Sequence, residues 1–164
     1  MTSPEREPRP LIVGIGASAG GLAAFNSFLA NMPAQPGMGF VLVQHLDPQH
    51  KSLLVELLAA NSPLPVLTAS DGVTVEKDCV YVIPPDATLT ISDGILQLAT
   101  PAPARQQRRP IDSFLVSLAE DQGECAVGIV LSGTGSDGSI GIRAIKEQGG
   151  LTLAQAEFDA HAKT

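Results

Sequence analysis

A short apolar run that leads directly into a glycine-rich turn constrains this chain more than any other feature. Leu11–Ile15 is rich in branched side chains, and the glycine-rich segment Gly14–Gly21 overlaps its end. After the turn, apolar residues recur at helical spacing at Leu22, Phe25, Phe28 and Leu29. This order predicts a strand, a tight turn and a helix, which is the repeating unit of α/β folds.

The same alternation returns along the chain. Gly39–Val43 predicts a second strand, and Asp47-Pro48 predicts a helix start, because aspartate caps helices and proline suits the first helical position. One apolar face is expected on that helix, formed by Leu53, Leu54, Leu57 and Leu58. The further predicted elements are a strand at Pro65–Thr68, a helix through Ile111, Phe114, Leu115 and Leu118, a buried strand at Ala126–Leu131, a helix at Ile140–Gln148 and a strand at Leu151–Leu153. We therefore predict an α/β fold with a doubly wound, mostly parallel sheet and flanking helices.

The middle of the chain departs from this alternation. Cys79–Ile83, Thr88–Ile91 and Ile95–Leu98 are brief apolar runs without intervening helices. Asp93-Gly94 between the last two is a two-residue hairpin signal. These three strands are predicted to form a small antiparallel insertion.

Length and composition limit the organisation of the chain. Its 164 residues fit one domain, which we expect at 11–164 after a disordered arm at 1–10, where charge alternates with proline. The last predicted strand is not followed by a covering helix, so we expect the C-terminal end to be truncated. Cys79 and Cys125 each open an apolar run, which predicts two buried, reduced thiols and a cytoplasmic location.

Charge and hydropathy exclude two classes of partner. Seventeen acidic and ten basic residues give a net charge of −7, and a surface of that sign repels phosphate backbones. No run of eighteen apolar residues is present, so no segment is expected to insert into a membrane. Neither nucleic acid nor the bilayer interior is therefore an expected partner.

Three polar residues are predicted at the carboxyl ends of parallel strands, where α/β sheets bind their ligands. Ser18 lies in a G-x-S-x-G turn after the first strand, His45 follows the second, and Asp137 lies beyond Ala126–Leu131. A serine hydroxyl needs an imidazole to take its proton, and the imidazole needs a carboxylate to hold its tautomer. The three residues therefore form a candidate catalytic triad, with oxyanion donors from amides after Ser18 and around Thr134.

Simpler interpretations of the same residues stay open. Ser18 can cap its own helix, Asp137 can cap the helix that follows it, and His45 can be a core histidine. Gly14 to Ala19 also fits the dinucleotide fingerprint G-x-G-x-x-[GA], although Gln44 and His45 stand where an acidic ribose-binding residue is expected. A metal site at His45, Asp47 and His50 is disfavoured, because Pro48 interrupts the ligand spacing and the sequence offers no further His or Cys cluster to complete the site. The remaining histidine, His161, has no candidate partner near it in the sequence.

Taken together, these segments resemble the signature motifs of a known enzyme family. They read GIGASAGG at Gly14–Gly21, Gln44-His45, and LSGTGSDG at Leu131–Gly138. With Val82–Pro85 and the helix start at Arg109–Asp112, they are similar to the CheB-type protein-glutamate methylesterase domain of bacterial chemotaxis. The sequences of these motifs are most similar to the esterase module of methylesterase/methyltransferase fusion proteins.

The resemblance implies an activity and a set of roles. The family's nucleophile, histidine and aspartate fall on Ser18, His45 and Asp137, and the implied reaction is hydrolysis of glutamate γ-methyl esters on chemoreceptor helices, with glutamine deamidation in some members. No cofactor or metal is expected, and a methyltransferase domain in the full-length protein is implied. Ala19 and Thr134 stand near the implied oxyanion site, where many members have threonine and methionine.

Two further expectations concern docking. Arg105, Arg108 and Arg109 cluster in one loop and form a candidate docking patch for acidic receptor helices, with a solvated loop as the alternative. A domain inside a fusion protein can also keep this fold for receptor docking or regulation without turnover. That catalytically silent module is the alternative to the esterase.

Overall fold

The computed structural model describes residues 9–17, 22–44, 54–100, 109–131 and 137–155. The elements in chain order are β1 (Leu11–Ala17), α1 (Leu22–Ala30), β2 (Met38–Gln44), α2 (Leu54–Asn61), β3 (Val66–Thr68), β4 (Val80–Val82), β5 (Thr88–Ser92), β6 (Ile95–Ala99), α3 (Pro110–Gln122), β7 (Val127–Leu131), α4 (Ser139–Glu147) and β8 (Leu151–Ala154). A short 3-10 turn, Gly123–Cys125, lies between α3 and β7. The predicted alternation of strands and helices is confirmed.

Six of the described strands form one sheet in the order β3-β4-β2-β1-β7-β8, and every neighbouring pair is parallel. The remaining pair, β5 and β6, is antiparallel. The first and second strands along the chain therefore lie at the centre, flanked by strands that come later in the sequence. This is the predicted doubly wound sheet with a small hairpin.

The two faces of the sheet carry separate apolar layers. Alternate residues of β1 point to opposite faces, so Ile12 packs with α3, α4 and the hairpin, whereas Val13 and Ile15 pack with α1 and α2. Phe114 in the first layer and Phe25 in the second are fully buried. Both faces of the central strands are therefore covered, as parallel sheets require.

The antiparallel insertion is smaller than the sequence predicted. Cys79–Ile83 was expected to belong to it, but its central part is β4, which pairs in parallel with β2 and β3. Val80, Tyr81 and Val82 are all buried, as in the interior of a parallel sheet. A strand this short with no alternation of polar residues does not reveal its partners from sequence alone.

The hairpin of β5 and β6 is confirmed. Its turn residues Asp93 and Gly94 have φ of +55° and +74°, the left-handed conformation that a two-residue hairpin turn needs. Their N–H groups donate to the Asp121 carboxylate of α3 at 2.6 and 3.0 Å, and Arg9 pairs with Asp93. The C-terminal part of α3 therefore anchors the hairpin turn.

Three burial predictions are wrong in detail. Leu57 is 60% exposed, because α2 buries only Leu54 and Leu58, one turn apart on the same face. Cys79 is half-buried, and Cys125 is exposed because it ends the 3-10 turn instead of opening β7. Both thiols are free. In the described ranges no helix has the length and apolar character needed to cross a bilayer.

Candidate active site

Three strands of the sheet end in one row. Ala17, the last residue of β1, lies opposite Gln44 of β2 on one side and Leu131 of β7 on the other. These residues directly precede Ser18, His45 and Ser132 in the sequence. Ser18, His45 and residues 132–136 lie outside the described residues, but the strand ends that lead to them lie side by side, about 4.8 Å apart.

Two glycines of β1 bring α3 close to this row. A Cβ on Gly14 would lie 2.8 Å from a methyl group of Leu115, and one on Gly16 would overlap Ile111 Cγ2. Both glycines therefore face side chains of α3, and their role in the G-x-G segment is close packing of a helix on a strand. This packing places the N-terminus of α3 beside the carboxyl end of β1.

Asp137 is joined to that N-terminus. Its Oδ2 accepts the N–H of Ile111 at 3.0 Å, and its Oδ1 accepts the N–H of Asp112 at 2.8 Å. The N-cap residue of α3, Arg109, makes no side-chain cap, and Pro110 has no N–H to donate. Asp137 therefore supplies the cap of α3, a helix that precedes it by about 25 residues.

The cap of α4 comes from Asp112, a residue that the sequence analysis did not single out. Gly138 is the N-cap of α4 and has no side chain that can cap. Asp112 Oδ1 accepts the N–H groups of Gly138 at 2.9 Å and Gly141 at 2.8 Å. Each of the two helices is thus capped by a carboxylate from the segment that begins the other.

Both carboxylates lie in electropositive surroundings. Each N-terminus carries a partial positive charge from the aligned peptide dipoles, and Arg109 Nε donates to Asp112 Oδ2 at 3.2 Å. The two backbone bonds of Asp137 go to different oxygens of its carboxylate. Asp137 therefore accepts hydrogen bonds from α3 through both oxygens.

An open cleft of about 570 Å³ runs along α3 from this point. It is lined by Arg109, Asp112, Val116 and Glu120 of α3, with Thr90 of β5 and Ile140 of α4. Arg109 is the one member of the predicted arginine patch among the described residues. Arg105, Arg108, Ala19 and Thr134 lie outside them, as do His45, Asp47, His50 and His161 of the metal hypothesis.

The nucleotide and metal alternatives gain no support from the described part of the chain. The first two glycines of the dinucleotide fingerprint are used for packing against α3. No group of three or more His, Cys, Asp or Glu side chains in the described ranges is arranged to hold a metal ion.

Comparison with known proteins gives consistent relatives. A protein-glutamate methylesterase/protein-glutamine glutaminase of Mesorhizobium japonicum is 38% identical over 152 residues, which cover 91% of this chain and 44% of that protein. An uncharacterised 104.1 kDa protein of Rhodobacter capsulatus is 41% identical over 107 residues, 65% of this chain and 11% of that protein. This chain thus spans less than half the length of the curated relatives it matches.

A solved structure and a family model agree with these relatives. The CheB methylesterase catalytic domain of Thermotoga maritima superposes with a TM-score of 0.80 at 29% identity, covering 92% of this chain and 82% of that one. The model of the family described as CheB methylesterase matches residues 13–164. With that match over most of its length, the chain belongs to the CheB methylesterase family.

Proposed function

We propose that this domain hydrolyses γ-glutamyl methyl esters on the cytoplasmic helices of chemoreceptors, with Ser18 as nucleophile, His45 as base and Asp137 as the carboxylate that orients His45. The observation that carries the proposal is the common row of Ala17, Gln44 and Leu131. This register brings together the strand ends that lead to all three residues, and α3 ties Asp137 back to β1.

The chemistry proceeds in two halves. Ser18 Oγ attacks the ester carbonyl carbon while His45 takes the hydroxyl proton, and the resulting oxyanion is stabilised by backbone N–H groups near Ala19 and Thr134. The tetrahedral intermediate collapses, methoxide leaves with the proton from His45 as methanol, and the glutamyl group stays esterified to Ser18. Water activated by His45 then attacks this ester, which frees Ser18 and leaves a glutamate carboxylate.

The substrate class is supported by the relatives. The curated protein of Mesorhizobium japonicum is named for both glutamate methylesterase and glutamine glutaminase activity. Glutamine deamidation uses the same two halves, with ammonia as the leaving group instead of methanol. Because the relatives are longer than this chain, further domains in the full-length protein, including a methyltransferase domain, are part of the proposal.

The test is covalent labelling combined with product release. A fluorophosphonate probe should label the wild-type protein. In a separate assay without the probe, methylated receptor should release methanol when the wild-type protein is added. Ser18→Ala should abolish labelling and lower methanol release by on the order of 10⁴-fold or more. Ser27→Ala, which changes an exposed serine of α1, is the matched control and should label normally.

The same experiment separates the esterase from the silent docking module. Methanol release that is unchanged in Ser18→Ala would remove the triad. A folded wild-type protein that binds receptor but neither reacts with the probe nor releases methanol would be the catalytically silent module.

A further inference from the structure

Asp112 is the one charged side chain of the described residues that is buried, with 5% of its surface exposed. Burial of a carboxylate is costly unless hydrogen bonds replace its lost hydration. Asp112 has three such bonds, and two of them go to backbone N–H groups at the start of α4. The buried carboxylate therefore accepts hydrogen bonds from the start of α4, the segment that directly follows Asp137.

The position of Asp137 depends on that segment. Gly138, its chain neighbour, has a φ of +107°, and a Cβ there would lie 3.2 Å from Ile111 Cγ2. At Gly141, one turn further on, a Cβ would lie 2.5 Å from Leu115. The start of α4 is thus in close contact with α3, and the N–H groups of both glycines donate hydrogen bonds to Asp112.

The bonds run in both directions between the two segments. The Asp112 carboxylate accepts from the backbone next to Asp137, and the Asp112 N–H donates to the Asp137 carboxylate. The first bond restrains the backbone of the turn, and the second restrains the orientation of the Asp137 side chain. Loss of the Asp112 carboxylate removes the first restraint and leaves two N–H groups of α4 without their acceptor.

We propose that Asp112 is a positioning residue of the esterase, which holds the Asp137 carboxylate in the orientation that His45 requires. The proposal rests on the function proposed above for Ser18, His45 and Asp137. In this role Asp112 acts through Asp137 and not on the reacting atoms. Its effect on turnover passes through the turn at Gly138, and a displacement of about 1 Å in a catalytic group can cost about 100-fold in rate.

Turnover is measured per labelled site. Exhaustive fluorophosphonate labelling counts the molecules with a reactive Ser18, and kcat per labelled site then excludes any loss caused by unfolded protein. Asp112→Ala should lower this kcat by about 10- to 100-fold on a small neutral methyl ester, with KM changed by less than threefold. Asp112→Asn should stay within a few-fold of wild type, because the remaining Oδ1 can still accept both glycine N–H groups.

Asp121→Ala is the matched control. Asp121 also accepts two backbone N–H groups, but at the hairpin turn near the other end of α3. This variant should lose stability and keep the wild-type kcat per labelled site. If Asp112→Ala does not fold, Asp112→Ser takes its place, because its hydroxyl keeps a polar group but is too short to bond both glycines.

A second measurement does not depend on activity. The N–H of Ile111 donates to Asp137 and not to Asp112, so its hydrogen exchange reports where the Asp137 carboxylate lies. In Asp112→Ala this exchange should accelerate by about tenfold or more, while amides in the second half of α3 keep wild-type rates.

The outcomes distinguish the two proposals. An Ile111 amide that keeps its wild-type protection in the folded Asp112→Ala variant would overturn the positioning role, whether or not the protein is an esterase. Wild-type kcat per labelled site in that variant, alongside Ser18-dependent methanol release, would overturn it too and leave the triad intact. Absence of Ser18-dependent release in wild type refutes the esterase, and the exchange experiment still decides whether Asp112 holds Asp137.

Discussion

Ile111 of α3 lies directly over Gly16 of β1, and a single added methyl group on that glycine would overlap it. The backbone of the same residue donates to Asp137 at 3.0 Å. One residue therefore contacts both the strand that leads to Ser18 and the carboxylate proposed to orient His45. The spacing between these two parts of the site is set by packing at Gly16.

Gly16→Ala should disturb this spacing. Overpacking of a buried contact costs about 1–3 kcal/mol, and displacement of Ile111 should carry the start of α3 away from β1. We expect a lower free energy of unfolding in urea and a drop in kcat for a small methyl ester. The double variant Gly16→Ala/Ile111→Ala removes the overlapping methyl group. Its loss of unfolding free energy should be smaller than the sum of the losses in the two single variants. Strict additivity would mean that the two residues do not meet as described.

The proposed base sets the pH dependence. His45 must be neutral to take the Ser18 proton, and an ordinary histidine has a pKa of about 6.5. We expect kcat/KM for a small ester to rise with pH through an apparent pKa of about 6 to 7 and then level off. A profile that is flat from pH 5 to pH 8 would contradict the assignment of His45.

Asp137→Asn should separate catalysis from folding. Its amide nitrogen cannot accept one of the two N–H groups that Asp137 now accepts, so the α3 cap should weaken by about 1 kcal/mol. Loss of the carboxylate should also destabilise the required imidazole tautomer and cost about 10⁴-fold in kcat. Thermal denaturation checks the fold and methanol release checks the rate. Full activity in a folded variant would reduce Asp137 to a helix cap.

The arginine patch should act on association with receptor. Arg105→Ala/Arg108→Ala leaves Arg109 in place, since Arg109 bonds Asp112. We expect kcat/KM for methylated receptor to fall by about tenfold at low salt, with no change for a small neutral ester. The difference in receptor kcat/KM between wild type and the double variant should shrink above about 0.15 M salt. Arg143→Ala removes a positive charge from an exposed position on α4 and serves as the control. Equal receptor rates in wild type and double variant at low salt would refute docking through this patch.

Asp121 should contribute stability that depends on pH. Burial raises its pKa, but hydrogen bonds from Gln122, Gly94 and Asp93 together outweigh burial, so its pKa lies below the ordinary value. The stabilisation is therefore complete above the unfolded pKa of about 3.9 and is lost as the pH falls through the lower folded value. Asp121→Asn should lose about 1 kcal/mol of unfolding free energy at pH 7. Urea denaturation of both proteins at pH 7 and at pH 3 checks this. The prediction is contradicted if the difference in unfolding free energy between wild type and Asp121→Asn is as large at pH 3 as at pH 7.

Local patterns predicted most of the fold because they report on short segments. The spacing of Ile111, Phe114, Leu115 and Leu118 predicted α3, and all four are buried. Asp93-Gly94 predicted the hairpin because its left-handed turn needs such residues. β4 was misassigned because three apolar residues, buried on both faces, show neither strand alternation nor helical spacing.

The exchange of caps between α3 and α4 was not predicted, since it depends on how two helices distant in sequence meet. The sequence motifs did not single out Asp112, and they gave Asp137 as a triad carboxylate, with a cap for its own helix as the alternative. A signal was present: Arg109 and Gly138 begin their helices without a capping side chain. Two helices that lack their own caps indicate acceptors from elsewhere in the fold.

The pairing of β1 with β7 also bears on how the protein folds. It joins residues on the order of 110 positions apart, as at Ala17 and Leu131, whereas β1 and β2 are separated by fewer than thirty. Contacts of long sequence separation slow folding, because the entropy of closing the intervening loop must be overcome first. In refolding, esterase activity should therefore return no earlier than the pairing of β1 with β7, which brings the strand that leads to Asp137 beside the strand that leads to Ser18.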